Sequence, residues 1–163
     1  MAVDIATFRQ TMALFPGAVT LITTGSGDLR RGITATAVCS VTDSPPTLLV
    51  CVNRKTGTCA QILATGRFSV QLLTEEQADL AMAFAGAGGL TGLAKFDDAS
   101  WGEGPTGLPQ HLDALASISC KVASSTENGS HQVFFGQIEH VTAKEGEALI
   151  YAKSRFHRLA AVV

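Results

Sequence analysis

At 163 residues the chain has the length of one domain, able to bury roughly two-thirds of its unfolded surface around a single core. Its 46% hydrophobic and 16% charged residues exclude disorder and are rich for a monomer whose whole surface meets water, so a subunit interface is expected. With 12 basic and 14 acidic residues the net charge is only -2, which leaves no broad positive field to hold nucleic acid or anionic lipid.

The opening MAVDIATFRQTMALF mixes Asp4, Arg9 and Gln10 among apolar residues and lacks the basic start and apolar block of a secretory signal. No apolar run approaches the roughly 18 residues of a membrane helix, so a cytoplasmic protein is expected. Asp4 is placed to N-cap a helix carrying Ile5, Phe8, Met12 and Phe15 on one face, and Pro16-Gly17 stops it. Residues 18–24, rich in β-branched side chains, predict a strand, and the turn-prone residues 25–28 make it the first arm of a hairpin. The return arm, Gly32 to Thr42, alternates Ile33, Ala35, Ala37 and Cys39 against Thr34, Thr36, Val38 and Ser40 and reads as one long strand.

Ser44-Pro45-Pro46 breaks that strand, because proline removes ladder donors, and residues 47–52 follow as a buried strand. Asn53 to Gly57 is a polar turn, residues 58–65 a short helix, and residues 67–73 a strand with Phe68, Val70 and Leu72 inward. Thr74-Glu75-Glu76-Gln77 resembles a capping box opening a helix through Leu80 and Phe84. The glycine-rich stretch 85–92 is expected to be a mobile lid. After a Gly/Pro-rich loop around Trp101, three strands are predicted at 114–125, 131–144 and 148–153, with Asn128-Gly129 as the hairpin turn between the first two.

Many strands joined by turns, with three short helices, predict a single mainly β domain over residues 1–163, an antiparallel barrel with peripheral helices. A nucleotide-binding βαβ sheet is not supported, since the glycine stretch lacks the Lys-Ser or Lys-Thr ending of a phosphate loop and no strand runs into it. Hydrolase and metal-binding motifs are also absent: there is no H-E-x-x-H, G-x-S-x-G or C-x-x-C, and Cys39, Cys51, Cys59 and Cys120 are widely spaced. No metal site is expected. An enzyme with so few ionisable catalysts would borrow its chemistry from an organic cofactor. His111 and His140 are read as surface residues.

Residues 32–54, GITATAVCSVTDSPPTLLVCVNR, resemble the nucleotide-contacting core of the short-chain flavin reductases, including the reductase components of two-component aromatic monooxygenases. Phe8-Arg9-x6-Pro16-Gly17-x-Val19-x4-Thr24 resembles the start of that family, Gly129-Ser130-His131-x4-Gly136 its Gly-x-His motif, and Tyr151-x4-Phe156-His157-x-Leu159 its ending. The resemblance implies a split β-barrel of Greek-key antiparallel strands, a homodimer that binds FMN or FAD, reduces it with NADH or NADPH, and supplies it to a partner monooxygenase.

The resemblance also implies site residues. Thr34, Ala35, Thr36, Ala37 and Val38 would lie along the isoalloxazine, small side chains letting backbone amides approach. Thr36, Ser40, Asn53, Arg54, Lys55 and Thr58 would hydrogen-bond the ribityl chain and phosphate. Lys95 and Phe96 would help close over the flavin, with Ala94 standing where relatives often carry an acidic residue. His131 would position the nicotinamide without transferring protons. Tyr151, Arg155, Phe156 and His157 would offer aromatic surface and charge to a dinucleotide, Phe156 replacing a frequent Tyr. Two other readings stay open on the same barrel: a flavin or haem carrier without catalysis, and an oxidase of the pyridoxine-phosphate type.

Overall fold

Asp4 accepts the Thr7 N–H at 2.9 Å and starts α1 (Ile5–Met12), as its capping chemistry predicts. A computed structural model describes all residues from 1 to 163. The strands are β1 (Gly17–Ala18), β2 (Thr20–Thr24), β3 (Arg31–Ala35), β4 (Val38–Asp43), β5 (Pro46–Asn53), β6 (Arg67–Leu72), β7 (Trp101–Glu103), β8 (Pro109–His111), β9 (Ala116–Asn128), β10 (His131–Ala143), β11 (Ile150–Ala152) and β12 (Arg155–His157). Two further helices, α2 (Gly57–Thr65) and α3 (Ala78–Phe84), pack against the sheet.

Seven strands form one antiparallel sheet in the order β3-β2-β6-β9-β10-β5-β4. The segment expected to run as one strand from Gly32 to Thr42 is therefore two strands, β3 at one edge and β4 at the other. Thr36 and Ala37 alone connect them. The Val38 N–H donates to the Thr36 carbonyl at 2.9 Å, a three-residue turn that bends the chain at Ala37 and brings Val38, instead of Ala37, to the core side with Ile33 and Ala35. Three peptide links span at most about 11 Å, so the sheet has to curl until its edges approach. No ladder joins β3 to β4.

Curling creates an interior. Ile22, Leu48, Val50, Val52, Phe68, Val70, Cys120 and Phe134 point into it from five strands, and α2 closes it with Cys59 and Ile62. The other face of β2 carries a second core, where Val19 and Leu21 meet Ala81 and Phe84 of α3, Phe96, Trp101 and Leu149. All five residues of β2 are buried in consequence. The expected box at Thr74–Gln77 is half formed: Gln77 Oε1 accepts the Thr74 N–H at 2.9 Å, yet the helix begins only at Ala78, with no side-chain cap.

Polar groups lie buried where the β7–β8 hairpin meets the sheet. The Gln71 amide donates to Ser69 Oγ at 2.8 Å and the Pro109 carbonyl at 3.1 Å, while its oxygen accepts from Ser117 and from the His111 N–H. All these hydrogen-bonding positions of the amide are satisfied, which buried amides require. His111, expected at the surface, is 4% exposed, stacked edge-on against Trp101 with ring centroids 4.9 Å apart. The short hairpin folds it inward, which single-residue reading does not reveal. His140 is half-buried on β10. Burial holds the His111 pKa below the ordinary histidine value, with the carboxylates of Asp98 and Asp113 opposing that shift and Lys144 adding to it.

Two outcomes are expected. A Cβ at Gly136 of β10 would stand 2.5 Å from Phe68 Cζ and 2.8 Å from Cys120 Cβ, so Gly136→Ala should lower unfolding free energy by about 1–3 kcal/mol in urea titrations. The folded chain resists protonating His111 while the unfolded chain does not. Stability should therefore be full above about pH 6.5 and decline as the pH falls toward the depressed folded value, a slope that His111→Gln should reduce in urea midpoints measured across that range.

Candidate functional site

The outer side of β3 is covered by no ladder, and two pockets open along it. The first, about 260 Å³, is formed by Thr34, Ala35 and Thr36 together with Met82 and Ala85 from α3 and its end, and Tyr151 and Phe156 from the C-terminal strands. The second, about 240 Å³, lies where Arg31, Gly32 and Ile33 meet Thr56, Gly57 and Thr58, with Thr91, Gly92 and Lys95 on its far wall. At a strand rise of about 3.3 Å, Arg31 to Thr36 covers about 17 Å, so the two pockets lie end to end along one strand.

Their chemistry differs. The first pocket is mostly apolar and walled by two aromatic rings, Tyr151 and Phe156, in edge-on contact at 5.3 Å. The Thr34 hydroxyl is turned away to the Ala81 carbonyl of α3, which leaves small side chains and aromatic surface to meet a ligand. A flat heteroaromatic ring suits such a slot.

The second pocket gathers positive charge without a counterion. Thr56 caps α2 by accepting the Cys59 N–H at 3.2 Å, and the N–H groups of Gly57 and Thr58 belong to the first helical turn, where no intrahelical acceptor exists. Arg31 lies over that turn, its Nε 3.6 Å from where a Gly57 Cβ would stand, and its Nη1 is fixed by the carbonyls of Asp28 and Arg30. Lys95 Nζ donates to the Gly32 carbonyl at 3.2 Å and the Phe84 carbonyl at 2.8 Å, and burial lowers its pKa. Arg30, Arg54, Arg67 and Arg158 all have carboxylate partners, whereas Arg31 and Lys95 have none. Two cations beside the positive end of a helix dipole form a site for an anion.

Of the residues singled out from sequence, Thr34, Ala35, Thr36, Tyr151 and Phe156 meet at the first pocket, and Thr58 and Lys95 at the second. Ala37 and Ser40 are exposed outside both, and Val38 packs against the interior core. Asn53 shapes its turn, its Oδ1 accepting the Lys55 N–H at 2.9 Å and its carbonyl accepting the Thr56 N–H and hydroxyl, while Lys55 itself is exposed. Arg54 is engaged elsewhere, 2.9 Å from Glu127 and bonded to the Gly129 carbonyl on the β9–β10 hairpin.

Phe96, expected beside the flavin, is a core residue, 6% exposed and packed edge-on against Phe84 and Trp101. Arg155 is exposed, and His157 Nε2 bridges its own hairpin to the Ala152 carbonyl at 3.0 Å. His131 is exposed at the start of β10, its Nδ1 held 2.8 Å from Ser130 Oγ, and lines neither pocket. Arg31, Thr56, Gly57, Thr91 and Gly92 escaped the sequence reading. A Thr-Gly helix start is a signal that could have found Thr56 and Gly57, whereas Arg31, 25 residues earlier, is brought there only by the fold.

The flavin reductase like domain family matches residues 12–160. The chain belongs to that family. It is 41% identical over 153 residues to the 4-hydroxyphenylacetate 3-monooxygenase reductase component of Pseudomonas aeruginosa, covering 93% of this chain and 90% of that one. The FMN reductase (NADH) RutF of Methylorubrum extorquens is 39% identical across 96% of this chain and 76% of its own length. Among solved structures, the NADH:FAD oxidoreductase SgcE6 of Streptomyces globisporus, in complex with NAD and FAD fragments, superposes with a TM-score of 0.89 at 29% identity, covering 99% of this chain and 98% of that one. No helix here is long and apolar enough to cross a membrane.

Proposed function

We propose that this chain is a flavin reductase that oxidises NADH or NADPH and reduces FMN or FAD, supplying the reduced flavin to a monooxygenase component. The observation that carries the reading is the pairing of an aromatic-walled apolar slot with a cationic pocket free of carboxylates, end to end along one strand edge of a flavin reductase family member. A planar ring fits the slot and a phosphate fits the pocket. When bound, flavin accepts a hydride at N5 from nicotinamide C4, and a proton from solvent completes the two-electron reduction.

The residues of this chain then have simple tasks. Ala35 and its neighbours let the ring approach the backbone, and Tyr151 and Phe156 keep water from one side of the slot. Arg31, Thr58 and the N–H groups at the start of α2 hold the phosphate by charge-assisted hydrogen bonds. His131, its ring orientation set by Ser130, is left free to position the nicotinamide. No acid–base pair is asked of these residues, because a bound flavin would supply the redox chemistry while this chain would hold and orient it.

The edges of the sheet approach at Thr36–Ala37 without a joining ladder, which supports a split barrel of Greek-key strands. A homodimer accords with α1, which buries none of its own residues and exposes Ile5, Phe8 and Met12 at 69%, 54% and 46%, followed by Phe15 at 65%. A second copy would cover this apolar face.

The test is NADH consumption with FMN or FAD present. Flavin-dependent loss of NADH absorbance is expected, and its absence with all four cofactor pairings would overturn the reading. Arg31→Ala should weaken FMN binding by about 1.5–3 kcal/mol in fluorescence titrations, the scale of a charged hydrogen bond. Arg54→Ala breaks an exposed ion pair and should change it by less than about 1 kcal/mol. The reverse order would move the phosphate to the hairpin side.

A further inference from the structure

The segment between Phe84 and Phe96 leaves the protein and returns to the same point. The two rings meet edge-on with centroids 5.1 Å apart, and Lys95 Nζ ties the returning end to the Phe84 and Gly32 carbonyls. Between these pins the chain is almost unattached. Its backbone hydrogen bonds from Gly86 to Ala94 are all local, running from Gly86 to Ala83, Gly89 to Gly86 and Ala94 to Thr91, and no side chain in that span makes one. Gly86, Gly88, Gly89 and Gly92 hold positive φ, where other residues are strained, and a Cβ on any of them would meet nothing within 4 Å. Leu90 and Leu93 stay 39% and 44% exposed.

The same loop touches both pockets. Ala85 borders the aromatic slot, and Thr91 and Gly92 wall the cationic pocket. In that pocket Thr58 is 3% exposed, yet its hydroxyl makes no hydrogen bond, an unpartnered polar group facing the space beside Arg31 and the first turn of α2. A hydroxyl in that position is free to donate to an oxyanion seated in the pocket.

Resting on the flavin reductase reading, we infer that phosphate occupancy of the cationic pocket pins Thr91 and Gly92 and thereby draws loop 85–94 over the ring slot. The phosphate of a flavin is then more than a handle: its binding energy, remote from the hydride, orders the loop that encloses the reacting ring. The substrate class is a flavin 5′-phosphate. Riboflavin fills the slot alone and leaves the loop open, and a free oxyanion of phosphate shape restores the closure in trans.

Amide hydrogen exchange on the full-length chain tests this, with FMN, with riboflavin, with riboflavin plus sodium phosphite, and with phosphite alone. At ligand about ten times its dissociation constant, FMN should slow exchange in residues 86–92 by about tenfold, riboflavin should not, and riboflavin with phosphite should approach FMN. Phosphite should also raise the rate of riboflavin reduction by NADH without changing its products. Thr58→Val, which removes a hydroxyl that bonds to nothing in the fold, should weaken protection by phosphite. Equal protection by riboflavin and FMN, no effect of phosphite, or undiminished phosphite protection in Thr58→Val would overturn the inference. Phosphite competition against NADH instead of FMN would assign the pocket to the dinucleotide and overturn it too. Failure of FMN and FAD to be reduced at all would instead remove the underlying reading.

Discussion

A chain that has to reach from one edge of a seven-stranded sheet to the other in two residues leaves the sheet no choice but to curl. Thr36 and Ala37 impose this on the fold, and the three-residue turn at Ala37 makes it sterically possible. Curling gives the sheet an inside, which Phe68, Phe134 and the valines of β5 fill and α2 plugs. It also keeps β3 from acquiring a second strand neighbour. Unpaired backbone at a sheet edge is ordinarily a hazard, an invitation to another strand. Here α2, α3, the loop after α3 and the C-terminal hairpin stand along that edge, and the gaps between them are the two pockets.

The division of labour between the pockets follows from which elements flank each half of β3. At the Thr34–Thr36 end stand α3, with Ala81 and Met82, and the β11–β12 hairpin with its two aromatic rings, so the local medium is apolar. At the Arg31–Ile33 end stands the beginning of α2, which brings unsatisfied N–H groups and the positive end of a dipole. Arg31 and Lys95 would repel that end in an empty pocket, and their positions are fixed by backbone carbonyls and not by acidic partners. Such a surplus of positive charge is tolerable in a folded chain when an anion is the usual occupant.

Much of this was legible in the sequence. The caps, breakers and β-branched runs placed the three helices and the long strands within a few residues, because they report local backbone chemistry, whereas the two- and three-residue strands β1, β7, β8 and β12 carry too little pattern to be read. The long alternation from Gly32 to Thr42 misled because it does not display the three-residue turn at Ala37, where the chain passes from one sheet edge to the other and Val38 takes the core side with Ile33 and Ala35. The resemblance of Thr34, Ala35, Thr36, Thr58 and Lys95 to family positions brought together residues that do share the two pockets. Phe96, by contrast, packs its ring against Phe84 and Trp101 and lines neither of these two pockets. Arg31 and Arg54 differ in ways a sequence does not display: one lies over a helix start without a carboxylate, the other faces Glu127 across a hairpin. The inward turn of His111 depended likewise on tertiary packing of a hairpin only three residues to a strand.

The aromatic cluster that holds the loop together at its ends includes Trp101, the sole tryptophan of the chain. Its indole touches Phe84, Phe96 and the His111 ring, and its Nε1 has no hydrogen-bond partner. Light absorbed above the tyrosine band therefore excites one buried chromophore seated at the hinge. Its emission is a built-in optical reporter: a shift in colour would register water reaching the hinge, and quenching by energy transfer would register a yellow ligand arriving in the neighbouring slot. The protein thus brings its own spectroscopic label, at the place where motion and chemistry meet.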